Sequence, residues 1–289
     1  MKDEPLIGGK RHDFILQDKK LRMRKDEFLS QLFRGKEKRD ILLYVHGYNT
    51  TFDESALTVE QIASDLDFRG NALFYSWPSA GRMFGYVRDQ NNTDWSRKHL
   101  TSFLRELADR SGRKSLCLIA HGMGNRELPG FLLDLLHDKP DYKEKIRVIV
   151  LAAPDVDSEI FCRDIAPFFA DEQILVTMYV SRRDKALKAS KDVDGYVRAG
   201  DVDGEPIVVA GIDTVDVTNI DTIPLGHSYN AYSRHVLADI HSIISEGLNP
   251  ESRVSPAPVE FMKGDKKKIY WIFVKQGGGY SIFTIIFLK

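Results

Sequence analysis

The sequence predicts an α/β fold, a mostly parallel central sheet flanked by helices, with a C-terminal β-hairpin-like tail. Three observations predict it. Short, continuous apolar runs rich in β-branched and aromatic residues recur along the chain. Segments with apolar residues at helical spacing separate them, the pattern of right-handed βαβ units. The third observation is that the runs stop at small or polar residues, where the chain turns toward the next helix.

In chain order, His12 to Leu16 reads as a first strand. Lys25 to Phe33 has helical spacing at Phe28, Leu29, Leu32 and Phe33, with Gly35 closing it. Ile41 to Val45 is a strand buried on both faces, and Phe52 to Leu66 is a helix. Asn71 to Trp77 is the next strand, halted by Pro78. Ser79 to Asn92 is rich in Gly, Ser and Asn and reads as an excursion, followed by an amphipathic helix from Trp95 to Leu107. Leu116 to Ala120 is a third apolar strand. The helix expected from Asn125 to Leu136 contains Pro129-Gly130. Proline there predicts a kink or a delayed start, at ~3 kcal/mol in a helix interior. Arg147 to Ala153 and Ile174 to Val180 are strands, with a short helix from Ile160 to Phe169 between them. Ala186 to Ser190 is one helical turn, Asp192 to Pro206 a long polar loop, Ile212 to Val217 a strand and Tyr232 to Ile244 the last helix. Beyond Leu248, Pro250 to Pro258 is linker-like. Ile269 to Val274 and Ser281 to Leu288 then flank Gly277-Gly278-Gly279 as a hairpin. The division is thus residues 1–248 as the main domain and 249–289 as linker and apolar hairpin.

The 289 residues suffice for a large core, and a formal net charge of −1 without a basic stripe excludes nucleic acid as the expected partner. Lys266-Lys267-Lys268 reads as a solvated turn. Cys117 and Cys162 lack metal-ligand spacing and read as buried free thiols. Neither a signal-peptide h-region nor a transmembrane run is present, so a soluble cytoplasmic protein is expected, although a trimmed leader would look the same. The hairpin's apolar surface calls for cover by the domain or by a second copy, a homo-oligomer.

Chemistry gathers at the carboxyl ends of strands in an open α/β sheet. Those ends carry His46-Gly47-Tyr48-Asn49, Ser76-Trp77-Pro78, His121-Gly122-Met123, Pro154-Asp155 and Asp184, with His227 in the loop after the last strand. Ala120-His121-Gly122-Met123-Gly124 has the shape of a nucleophile elbow, G-x-S-x-G, with Gly122 where the serine belongs. Elbow, acid and histidine then follow in the chain order of a serine-hydrolase triad. A histidine there takes the hydroxyl proton and returns it to the leaving group, while a carboxylate orients the imidazole. The backbone N–H groups of Met123 and Tyr48 would bind the developing oxyanion.

Val45-His-Gly-Tyr-Asn49, Phe74-Tyr-Ser-Trp-Pro78, Ile119-Ala-His-Gly-Met-Gly-Asn-Arg126, Leu151-Ala-Ala-Pro-Asp-Val-Asp157, Tyr179-Val-Ser-Arg-Arg-Asp184 and Leu225-Gly-His-Ser-Tyr229 together resemble an α/β-hydrolase family of bacterial proteins, a domain of unknown function. The matches span roughly residues 25–245. The resemblance implies the α/β-hydrolase fold and esterase or lipase chemistry, with Asp184 as triad acid, His227 as base and His46-Gly47-Tyr48 as the oxyanion loop. It implies no cofactor. The family pattern A-H-S-M-G-N departs at Gly122, which cannot attack a carbonyl.

Gly122 has three readings: an engineered knockout, a natural pseudoenzyme that keeps the pocket for binding, and an ordinary tight-turn glycine in an unrelated α/β protein. The last leaves the other five blocks unexplained. Asp155, one strand earlier, is the rival to Asp184 as the acid. His46, Trp77, Phe84, Tyr86 and Trp95 are candidates for lining a substrate pocket under a cap built from residues 79–92, the alternative being a surface loop with its aromatics tucked onto the domain. His46 and His121 also read as packing beside backbone turns, and no metal site is expected, since His46, His121 and His227 lack ligand spacing. The expected function is a carboxylesterase or lipase-like scaffold acting on small-molecule esters, with covalent turnover lost or minimal. The alternative is a small-molecule or protein binding module.

Overall fold

The structure, a computed structural model, describes residues 23–34, 39–82, 85–113, 115–172, 174–202, 204–220, 233–253 and 256–273. The apolar runs become parallel strands: β1 (Ile41–Val45), β2 (Asn71–Tyr75), β3 (Leu116–His121), β4 (Ile146–Ala152), β5 (Leu175–Val180) and β6 (Asp213–Asp216). A C-terminal hairpin of β7 (Pro256–Lys263) and β8 (Lys266–Phe273) completes one sheet in the order β2-β1-β3-β4-β5-β6-β8-β7. All neighbours run parallel except β7 with β8. The described helices are α1 (Lys25–Leu32), α2 (Phe52–Asp65), α3 (Tyr86–Arg110), α4 (Gly124–Asp138), α5 (Ser158–Ile160), α6 (Ala166–Glu172), α7 (Lys185–Asp194) and α8 (Arg234–His241). A π-helical turn, Phe161–Ile165, joins α5 to α6.

Strand residues alternate between two cores, as a two-fold side-chain period requires. Leu43, Val45, Leu118, Ala120, Ile149 and Leu151 share one face with Leu104 of α3 and Phe131 of α4. Leu42, Tyr44, Cys117, Ile119 and Val148 pack on the other face with Ile62 of α2 and Ile240 of α8. Register levels the carboxyl ends: Val45 pairs with Ala120, His121 with Ala152, and Ala152 with Tyr179. The turns after β1, β3, β4 and β5 therefore emerge side by side.

Local chemistry sets the helix ends. Thr51 caps α2 in a reciprocal box: its Oγ1 accepts from Glu54 N at 3.2 Å, and Glu54 Oε2 accepts from Thr51 N at 2.8 Å. Thr51→Ala should lower stability by ~1 kcal/mol in urea unfolding, and an unchanged midpoint would contradict that role for the cap. Asp184 caps α7, which runs to Gly195 at φ 80° and is much longer than the single turn its sequence suggests.

Two further helices differ from expectation. Helix α3 starts at Tyr86, not near Trp95, because its buried stripe begins with polar residues. Asp89, Thr93 and Ser96 are buried and continue into Leu100, Leu104 and Leu107 at helical spacing. In α4, Pro129 sits inside a continuous helix that starts at Gly124. Arg97 of α3 lies over the neighbouring glycine, donating to Gly130 O at 3.0 Å and pairing with Asp134 at 2.8 Å. A Cβ on Gly130 would stand 3.2 Å from that guanidinium carbon.

The hairpin turns at Gly264-Asp265, so Lys266-Lys267-Lys268 opens a strand and is not a turn, and Pro256 to Pro258 begins one. Trp271 and Phe273 are buried, and β8 joins the main sheet through Val215 paired with Trp271. On β7, Pro256 and Pro258 pair with Phe273 and Trp271, so the open edge lacks two N–H donors and is a poor template for another strand. The expected strands at His12–Leu16 and Ser281–Leu288 lie outside the described residues.

Candidate active site

The turn after β3 places Gly122 at φ +53°, the left-handed region where an L side chain is strained. The turn is pinned on all sides. Gly122 N donates to Ala152 O at 2.9 Å, and Gly122 O accepts from Asp155 N at 3.1 Å and Asn125 N at 3.2 Å. The buried Asn125 amide adds donors to Ala120 O (3.3 Å), Gly122 O (3.0 Å) and Ala152 O (3.1 Å). Asn125 thus ties the helix to two strand ends. Gly124 has no room to grow, since a Cβ would fall 2.7 Å from His46 O and 2.8 Å from Val45 O. At Gly122 the nearest atom to such a Cβ is Gly47 Cα at 3.7 Å, an ordinary contact.

The turn after β1 lies against that position. Gly47 is itself fitted beneath His121, whose Nδ1 would stand 2.9 Å from an added Cβ. Tyr48 follows, its hydroxyl donating to Arg82 O at 3.2 Å and its ring edge-on to Tyr86 at 5.4 Å. Met123 is buried at the start of α4. His46 and Trp77 are buried against each other, 0% and 1% exposed, and their rings stack at 4.8 Å. Trp77 Nε1 donates to His46 O at 2.8 Å. The His46 ring nitrogens face Gly47 O (2.8 Å) and Trp77 O (3.2 Å), of which a neutral ring can serve one at a time. Burial holds the His46 imidazole below its usual pKa. Both side chains brace the β1 and β2 turns and present no surface to a pocket. Phe84 and His227 lie outside the described residues.

The two candidate acids have different surroundings. Asp184 Oδ1 accepts from Ala186 N at 2.9 Å and Leu187 N at 3.0 Å, and its Oδ2 makes no hydrogen bond among the described residues. Burial raises its pKa, against the pull of those two amides. Asp155, 4% exposed, is fully engaged. It accepts from Tyr86 OH at 2.9 Å and Ser190 Oγ at 2.5 Å, and pairs with Arg198 at 3.2 Å and Arg126 at 3.6 Å. Arg126 also reaches Tyr86 OH at 2.8 Å and Asp194 at 3.1 Å, and Arg198 binds Asp194. This network joins α3, α4, β4 and α7 beside the elbow. Its members are scattered along the chain, so no local pattern groups Asp155, Tyr86 and Arg126 with Ser190, Asp194 and Arg198. Among the described residues, no group of three His, Cys, Asp or Glu side chains is placed to hold a metal ion.

Glu127, in the first turn of α4, is 1% exposed, and its Oε2 has no hydrogen-bond partner among the described residues. Burial, aided by Asp94, pushes its carboxyl up to about 8, against Thr93, Arg97 and Arg126. The folded state then binds this proton more tightly than the unfolded chain. Stability from this group is full below pH ~4.3 and is lost as pH rises toward the folded value. Glu127→Gln, which keeps the neutral shape, should remove that fall and be the more stable protein at pH 8.5, by ~2 kcal/mol or more. Parallel urea midpoints for both proteins from pH 5 to 8.5 would refute it.

The profile of a family described as "Alpha/beta hydrolase of unknown function (DUF900)" matches residues 22–245. The chain belongs to this family. No curated protein matches it significantly. Among solved structures it is similar to a predicted CIB-like hydrolase from Thermoplasma acidophilum, at 10% identity over 73% of this chain and 89% of that one, TM-score 0.40. An esterase from Pyrobaculum calidifontis is 10% identical over 74% and 79%, TM-score 0.40. A dienelactone hydrolase from Anabaena variabilis is 14% identical over 72% and 85%, TM-score 0.39. No described helix is long and apolar enough to cross a membrane.

Proposed function

We propose that this α/β hydrolase is a carboxylic-ester hydrolase scaffold of the Ser-Asp-His kind in which glycine occupies the nucleophile position, so that covalent turnover is lost or minimal. The observation that carries the reading is the elbow itself. Gly122 keeps the left-handed turn at φ +53°, and a serine Cβ there would meet only an ordinary contact, Gly47 Cα at 3.7 Å.

In the parent reaction a serine at position 122 attacks the ester carbonyl and His227 takes its proton. The N–H groups of Tyr48 and Met123 hold the oxyanion, and His227 protonates the leaving alcohol. Water activated by His227 then releases the acid. Asp184 orients His227. Its uncommitted Oδ2 supports that choice over Asp155, whose carboxylate is taken up by two arginines, a tyrosine and a serine. Without the hydroxymethyl group, the remaining oxyanion donors and binding leave ~10³–10⁴-fold over water at most. The substrates are small-molecule esters.

The test is Gly122→Ser assayed on short- and medium-chain p-nitrophenyl esters beside the unaltered chain. A gain in turnover supports the reading. A folded Gly122→Ser protein with no gain sinks it and leaves a binding module.

A further inference from the structure

We infer that Asp89 is the residue that fixes the 48–50 turn, and so acts as a positioning residue for the oxyanion loop; the second clause rests on the hydrolase reading above. Asp89 is 0% exposed and sits in the first turns of α3, in the stretch 79–92 that the sequence suggests as a cap and not as a helix. Among the described residues its carboxylate makes no ion pair. Instead it collects donors from two loops. Oδ1 accepts from Ala80 N at 2.6 Å. Oδ2 accepts from Ser79 Oγ at 2.7 Å and from Asn49 N at 3.4 Å. Ser79 Oγ, its proton given to Asp89, accepts in turn from Thr50 N at 3.2 Å and Gly81 N at 3.4 Å.

Two successive amides of the β1–α2 turn, Asn49 and Thr50, therefore end on one carboxylate–hydroxyl pair. The turn needs such an anchor. Asn49 stands at φ +55°, a left-handed conformation that asparagine accepts better than other non-glycine residues but still at a cost, which these bonds help to offset. Tyr48, the proposed oxyanion donor, immediately precedes these anchored amides. A buried, unpaired carboxylate is costly unless several N–H and O–H groups satisfy it, and all its donors here belong to the turn after β1, which lies against Gly122, and to the loop after β2. An acceptor is required at both oxygens. Asparagine has the same shape but would turn an NH₂ toward one set of these donors.

The test uses Gly122→Ser as background, with Asp89→Asn, and Ser79→Ala as the milder variant should Asp89→Asn not fold. Turnover of p-nitrophenyl butyrate and hydrogen exchange of segments 46–51, 76–82 and 116–126 are measured. Asp89→Asn is expected to lower kcat by roughly 10²-fold, the effect of misplacing an oxyanion donor, with KM within a few-fold. Exchange should quicken in 46–51 and 76–82 and stay unchanged in 116–126. Unchanged kcat, or faster exchange spread evenly over all three segments, overturns the assignment. Should Gly122→Ser itself show no turnover, the hydrolase reading falls separately. The exchange pattern then decides alone: local loosening of 46–51 upholds Asp89 as the anchor of the turn, and unchanged exchange there overturns it.

Discussion

Gly122→Ser should raise ester turnover by on the order of 10³-fold or more over the unaltered chain. Removing the nucleophile from an intact serine hydrolase costs ~10⁶ in kcat, and a site that has lost its serine need not be tuned well enough to recover all of it. The added side chain has room, with Gly47 Cα at 3.7 Å as the nearest atom to its Cβ. Its cost is conformational: an L residue at φ +53° gives up ~1–2 kcal/mol relative to glycine. The variant should therefore be more active and less stable together, a pairing that chemical denaturation and an esterase assay on the same sample would check. Two controls assign the gain. His227→Ala in that background should abolish it. Asp184→Asn should reduce it strongly while leaving α7 capped, because the asparagine Oδ1 still accepts from Ala186 N and Leu187 N. A gain insensitive to both would place the chemistry elsewhere.

Arg253→Met should cost ~3–5 kcal/mol of stability at pH 7, because it strips the cation from a buried cluster and leaves carboxylates behind. The Arg253 side chain is 0% exposed. It pairs with Asp239 at 3.4 Å and Asp213 at 3.5 Å, and donates to Thr177 Oγ1 and Leu248 O, each at 3.0 Å. Asp239 also accepts from Tyr179 OH at 2.6 Å. The arginine thus bolts the segment leading into the hairpin to β5, β6 and α8. Burial already pushes the Asp213 carboxyl up to about 6 against Arg253's pull, and raises that of Asp239. Without the cation both rise further. The deficit of the variant should accordingly be largest above pH ~6 and shrink as the carboxylates protonate. Adding Asp239→Asn should recover part of it, as a coupled pair requires. A loss under ~1 kcal/mol at pH 7 would mean that water or rearrangement replaces the arginine.

Much of this molecule is legible residue by residue. Runs such as Ile41–Val45 and Leu116–His121 are apolar without interruption, and only a sheet covered on both faces buries such a run. The elbow reads directly from Gly122 and Gly124, one a left-handed turn and the other a contact with Val45 O and His46 O too close for any side chain. Illegible stretches are those where polar residues do apolar work. The inner face of α3 begins with Asp89, Thr93 and Ser96, so hydropathy hides the helix from Tyr86 up to Trp95, and with it the anchor of the β1 turn. His46 and Trp77 look like pocket residues because they are aromatic and stand at strand ends, yet each satisfies the other in the interior. The lysine run 266–268 suggests a turn, but Gly264 at φ +60° makes the turn and the lysines follow in strand.

The sequence by itself determined the α/β class, the order of the strand ends and the glycine at position 122, since these depend on local periodicity and on the identity of one residue. Only the tertiary structure decided which carboxylate keeps an uncommitted oxygen, which polar residues are buried, and whether a side chain fits on the elbow. Those are matters of distance between segments far apart in the chain, and no local pattern encodes them: Asp155 meets Arg198, Asp89 meets Asn49, and Gly47 Cα stops 3.7 Å short of where a serine at the elbow would begin.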